Sequence, residues 1–177
     1  MDERYAIVEA RPEHVPALAR IERAAGQLLA AYAPASVLAA TIDEVELHEA
    51  QAEGRLWVAL LEDAPVGFAL VIMLTDTAPH LEEIDVDPVH GRRGVGAALV
   101  RAVCEWASRR GHREVTLTTF REPPWNMPFY ARLGFEEMPA EQWTAELAAI
   151  VRDEAARGLD PKRRVAMRCR PERSMRP

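Results

Sequence analysis

At 177 residues the chain is long enough to bury a substantial core and fits one domain spanning 1–177. Its formal net charge is −6 and Lys162 is its single lysine, so it lacks the basic field that nonspecific nucleic-acid binding needs. The opening MDERYAIVEARPE is charged and too broken for a signal peptide, and no apolar run approaches membrane-spanning length. Only Cys104 and Cys169 occur, which points to a reducing cytoplasm rather than a disulfide framework, and both read as buried spectators.

Residues 5–10 read as an opening strand, closed by Arg11-Pro12. Val15, Leu18, Ala19 and Ile21 carry a first helix that breaks near Gly26, and a second helical region runs over 36–53 to Gly54. The apolar runs 56–61 and 66–75, separated by Glu62-Asp63-Ala64-Pro65, predict an antiparallel hairpin. Residues 80–86 form the next strand, stopped by Asp87-Pro88. Val95, Leu99, Ala102, Val103 and Trp106 then recur at the period of one buried helical face. Gly111 ends that helix, and a strand at 114–119 implies a parallel crossover.

The Pro123-Pro124 turn leads into a short helix, with Asn126 as its cap and Pro128 in its first turn. A strand starts at 135–138. Residues 139–157 read as one long amphipathic helix, with Trp143, Leu147, Ile150, Val151 and Glu154 at helical spacing and Gly158 at its end. Val165, Met167 and Cys169 alternate along a final strand that pairs with the 135 strand, and the tail from Pro171 is expected to fray.

Between the strand at 80–86 and the helix from Val95, Gly91, Gly94 and Gly96 clear side chains from a tight turn. Such a turn aims unpaired N–H groups outward beside the positive end of a helix dipole, and Arg92 and Arg93 add charge. The combination is an anion site suited to phosphate. Leu99 stands where a dinucleotide fingerprint needs its third glycine, and no Gly-Lys-Ser or Gly-Lys-Thr closes the turn as in a P-loop.

The stretch HLEEIDVDPVHGRRGVGA resembles motif A of the GCN5-related N-acetyltransferases (GNAT), a strand followed by a Q/R-x-x-G-x-G/A turn that holds the pyrophosphate of acetyl-CoA. Gly91 occupies the Q/R position, a departure for which Arg92 and Arg93 would compensate. A second stretch, TTFREPPWNMPFYARLGF, resembles the family's other landmark through Asn126, Phe129, Tyr130, Leu133, Gly134 and Phe135. The resemblance implies an α/β fold with a central mixed, mostly antiparallel sheet flanked by helices. It also implies acetyl-CoA as acetyl donor, with no metal, and transfer to a small-molecule or peptide amine by direct attack in a ternary complex. Homodimerisation is common among related proteins and is open here.

Carried over residue by residue, Arg92, Arg93, Gly94, Val95, Gly96 and Ala97 would hold the pyrophosphate. Ile84, Val86, Asn126, Tyr130 and Arg132 would contact the rest of the cofactor, with the Val86 N–H polarising the thioester where the flanking strands splay. Tyr130 resembles the general acid at the sulfur, since a phenol of pKa about 10 is protonated at neutral pH. For the base, strand alternation puts His80, Glu82, Ile84 and Val86 on one face. Glu82 and then His80 are the candidates, with Glu83 if the register slips by one. In this family the two helices after the first strand line the acceptor cleft. Here Gln27, Tyr32, Asp43, Glu46 and Glu49 give them a mildly acidic surface, which would suit a cationic amine, though a solvated helix face accounts for the same residues more simply. The alternative to catalysis is a non-catalytic acyl-CoA sensor or interaction module on the same fold.

Overall fold

The computed structural model describes residues 5–171. Its frame is a hairpin, β2 (Leu56–Leu61) and β3 (Ala64–Thr75), turned by Glu62 and Asp63 at φ 49° and 69°. Two consecutive positive φ values match the right-handed twist of the flanking strands, as two-residue hairpin turns require. β1 (Ala6–Glu9) pairs antiparallel with β2, and β4 (Ala78–Val86) pairs antiparallel with β3. The helix α4 (Val95–Arg109) then crosses over to β5 (Val115–Phe120), which runs parallel to β4. β7 (Arg164–Cys169) lies antiparallel between β5 and the two-residue β6 (Glu136–Glu137). The strand order is β1-β2-β3-β4-β5-β7-β6, the mixed, mostly antiparallel sheet expected, with helices on both sides.

Alternation along the strands separates two cores. On one face Trp57, Ala69, Val71 and Leu81 pack with Val95, Leu99, Val103 and Trp106 of α4. On the other, Leu56, Val58, Phe68 and Leu70 pack with Leu18 and Ile21 of α1 (Leu18–Gly26) and Leu47 of α3 (Glu44–Ala52). Phe68, Leu70 and Leu99 have no solvent exposure, and each buried side chain of this size contributes about 1.5–3 kcal/mol. Together these clusters hold a sheet whose strand pairing is shortest at the β4–β5 boundary.

Both long predicted helices are interrupted. The region 36–53 is two helices, α2 (Ala35–Ala39) and α3, because the Glu22 carboxylate accepts the Ile42 N–H at 3.0 and 3.1 Å. Asp43 then caps α3 by accepting from the Val45 N–H at 2.7 Å. The region 139–157 starts as a 3-10 turn, Ala140–Gln142, and passes through extended Trp143, whose indole donates to the Met138 carbonyl at 2.7 Å. Thr144 caps the true helix, α6 (Ala145–Ala156), which sits over Ala166 and Met138. The expected frayed tail after Pro171 lies outside the described residues.

Candidate active site

β4 and β5 share one pairing, His80 with Thr116, and then part. β4 stays paired with β3 as far as Val86, and β5 with β7 as far as Phe120, so their facing edges bound an open wedge. The Asp87 N–H donates to the Val66 carbonyl at 2.8 Å. Antiparallel pairing alternates its bonds, so the N–H groups of Val86 and Ile84 point away from β3 and into the wedge. Gly67 lets β3 come this close: a Cβ there would lie 2.8 Å from the Asp85 carbonyl.

At the end of β4 the chain enters the glycine turn. Asp87 accepts from Arg20 at 2.6 Å and from the Val89 N–H at 3.2 Å, and the Arg20 hydrogen bond holds its carboxyl below the usual range. After the 3-10 turn Pro88–His90, Arg92 and Gly94 take left-handed φ of 61° and 83°, and α4 begins. The Ala98 N–H is bonded to the Gly94 carbonyl at 3.0 Å, so the amides of 94–97 are the four orphan donors of the helix start. They abut the wedge: a Cβ on Gly96 would be 3.8 Å from the Val86 side chain and 3.5 Å from Phe129. Arg92 and Arg93 are exposed beside them, and Arg93 donates to the Tyr5 hydroxyl at 3.3 Å.

The short helix α5 (Met127–Arg132) flanks the wedge from the β5 side. Asn126 precedes it, but its side chain does not cap it as expected. Its Nδ2 donates instead to Thr119 Oγ1 at 2.8 Å, and its buried Oδ1 has no partner among the described residues. Tyr130 is buried against Phe129 and Phe135, with ring centroids 5.1 and 5.8 Å away. Burial, then the negative charge of Glu83 and Asp85, pushes its phenol well above the ordinary value, so it stays protonated. Arg132 is exposed on α5.

A bulge corrects the predicted face assignment on β4. Leu81 pairs with Val71 and Glu83 with Leu70, leaving Glu82 as the extra residue. Leu81, Ile84 and Val86 therefore join the α4 core, while His80, Glu83 and Asp85 stand beside Ile72, Leu70 and Phe68 on the α1–α3 face. His80 and Glu82 do share a side, 3.8 Å apart, but Val86 is not on it. This is a bulge rather than a one-residue slip of the whole strand: Glu83 joins His80 on the α1–α3 face, opposite the side that carries Val86.

The α1–α3 face is crowded with carboxylates. His80 is almost fully buried, its Nδ1 2.8 Å from Thr116 Oγ1, and burial followed by the Arg164 charge lowers its pKa to about 4. It is a neutral, weak base. Glu82 is raised by desolvation and then by Glu154. Glu83 is raised to about 8 by desolvation, then by Glu22 and Glu82. Asp85 is raised well above its ordinary value by desolvation, then by Glu83 and Glu22. Arg164 opposes them, gripping Glu154 at 2.7 and 3.2 Å and donating to Thr118 at 3.1 Å, with its guanidinium 4.6 Å above the Phe120 ring. A cavity of about 490 Å³, lined by Leu70, Ile72, Met73, Glu46 and Glu49, lies on this face, and Ile72 and Leu70 are the cross-strand partners of His80 and Glu83.

The sequence reading missed Asp85, Glu22, Glu154 and Arg164. Glu154 was countable as an acid inside an apolar helical stripe; the others carry no local signal.

Residues 23–135 match the Acetyltransferase (GNAT) family. An uncharacterized N-acetyltransferase of Escherichia coli, YafP, is 30% identical over 112 residues, covering 63% of this chain and 66% of that protein. The PaiA N-acetyltransferase of Thermoplasma acidophilum, solved with coenzyme A, superposes with a TM-score of 0.74 at 14% identity, over 94% of this chain and 99% of that one. Rv2747 of Mycobacterium tuberculosis, also solved with CoA, is 25% identical with a TM-score of 0.63 over 93% of this chain and 98% of its own. The chain spans 25% and 66% of the length of the first two curated relatives it matches. Among the described residues no helix is long and apolar enough to cross a membrane.

Proposed function

The chain belongs to the GNAT family of acetyltransferases, and from that premise we propose that it acts as a single domain moving the acetyl group of acetyl-CoA to a primary amine by direct attack in a ternary complex. One observation carries the reading. The β4–β5 wedge joins an amide-lined turn to a cluster of carboxylates whose affinity for protons is raised.

The chain's own groups fit the cofactor. The 94–97 amides and the dipole of α4 suit a pyrophosphate, with Arg92 beside them. The unpartnered Oδ1 of Asn126 suits a pantetheine N–H, because a buried acceptor left unpaired costs about 1–3 kcal/mol. Bound acetyl-CoA supplies an activated acetyl thioester. The Val86 N–H then donates to the carbonyl oxygen as negative charge develops there, while the Ile84 N–H lies along the same edge. Glu83 takes the proton of the incoming ammonium, and with a pKa of about 8 it is matched to that exchange near neutral pH. Glu82, nearer solvent, relays between Glu83 and the cavity, and His80 positions Glu82 rather than serving as base. Tyr130, kept protonated, donates to the departing sulfur.

The test is thiol release from acetyl-CoA with a broad amine panel over pH 6–9. The proposal expects release above the hydrolytic background for at least one amine, with kcat/KM rising through about pH 8 as Glu83 deprotonates. Binding of acetyl-CoA with no release for any amine would replace it by the non-catalytic acyl-CoA module.

A further inference from the structure

The two cysteines are the one reactive pair that the acetyl-transfer reading leaves unused. Cys104 lies midway along α4 and Cys169 ends β7, yet their sulfurs are 3.3 Å apart. A disulfide has a sulfur separation of about 2.05 Å, so closure needs a movement of only about 1.3 Å. Cys169 is buried and Cys104 is half-buried, so one thiol is reachable and the other stands behind it.

We propose that Cys104 and Cys169 form a dithiol modification site that takes low-molecular-weight disulfides, such as oxidised glutathione, and closes to an intramolecular disulfide. The Cys104 thiolate attacks one sulfur of the incoming disulfide, forming a mixed disulfide and expelling one thiolate, which takes up a proton. Cys169 then loses its proton, attacks the Cys104 sulfur and expels the second thiol. Two protein thiols are oxidised and one small disulfide is reduced to two thiols. The division of roles agrees with the microenvironments. The hydrogen bond with Cys169 lowers the Cys104 thiol below its ordinary value, and the same contact together with burial raises Cys169.

The bond would tie together two halves of the sheet. α4 packs chiefly on β2, β3 and β4, whereas β7 belongs with β5 and β6. Among the described residues the strands of those halves share one backbone pairing, His80–Thr116, where the wedge opens. A cross-link between residues 65 apart restricts the unfolded chain and should raise Tm by about 10 °C. It should also fix the wedge opening, and therefore change acetyl-CoA affinity, an effect that rests on the proposed function where the dithiol itself does not.

The experiment treats the reduced, full-length protein with oxidised glutathione, then alkylates it under denaturing conditions and reads the intact mass. The expected result is no alkylation, no glutathione adduct, a mass lower by two hydrogens and the higher Tm, all reversed by a dithiol reductant. Cys169→Ser should instead hold a glutathione on Cys104, while Cys104→Ser should stay unmodified with its basal acetyl transfer intact. Two alkylatable cysteines in the treated wild type, or a stable glutathione adduct there, would overturn the proposal whatever the outcome of any acetyl-CoA assay.

Discussion

The glycine turn and the carboxylate face both adjoin β4 but are built from different materials. In the proposed reading the turn works through backbone amides, and its geometry depends on left-handed φ at Arg92 and Gly94. The carboxylate face works through side chains from β4, α1, α6 and β7, each shifting the others' affinity for protons. A backbone site tolerates most side-chain changes and fails when a conformation is forbidden. A side-chain site responds to every charge removed from it. That contrast can be broken by mutation, most severely on the carboxylate face.

Arg164→Ala should have the largest effect. It leaves the buried Glu154 without its bidentate partner and removes the positive charge acting on Glu82 and Glu83. Breaking a buried pair in this way costs about 3–5 kcal/mol, readable as a lower urea midpoint at unchanged slope. A loss under about 1 kcal/mol would mean that the pair is solvated rather than structural.

Glu83→Gln should lower kcat/KM about 100-fold and abolish the rise through pH 8. It should also stabilise the protein in alkali. A carboxyl whose folded pKa is raised contributes stability at low pH that is lost as pH climbs from about 4.5 towards 8, because the folded state binds the extra proton. The wild-type Tm should therefore fall between pH 5 and pH 9 more steeply than that of the variant, by a few degrees. Parallel Tm curves would remove Glu83 as the titrating group. Tyr130→Phe comes next, with kcat lower by about 10- to 100-fold and acetyl-CoA affinity unchanged; unchanged turnover would assign the acid role elsewhere.

The same contrast explains what the sequence revealed. The turn is local, so its glycine spacing and the strand before it could be read directly, and every strand of the sheet was anticipated. The Glu82 bulge could not be, because the extra residue is defined only by how β3 pairs across from it. Once inserted, it moves Glu83 to the side where alternation had placed Ile84. The break before α3 depends on Glu22, twenty residues earlier, reaching the Ile42 N–H. Asn126 follows the pattern of a cap, yet Thr119 claims its amide. The Glu154–Arg164 pair joins a helix to a strand, and neither residue signals the other in sequence.

If the wedge holds acetyl-CoA through the turn's backbone, calorimetric titration of the wild type and Gly94→Val will show it. A Cβ at Gly94 meets nothing within 4 Å, so valine acts chiefly through its backbone, at φ 83° where a β-branched residue is strained by about 1–3 kcal/mol. Acetyl-CoA and CoA should bind the wild type while ATP and NAD do not, and valine should weaken acetyl-CoA binding at least about tenfold. Equal affinity in the two proteins, or no heat with acetyl-CoA in the wild type, would contradict it.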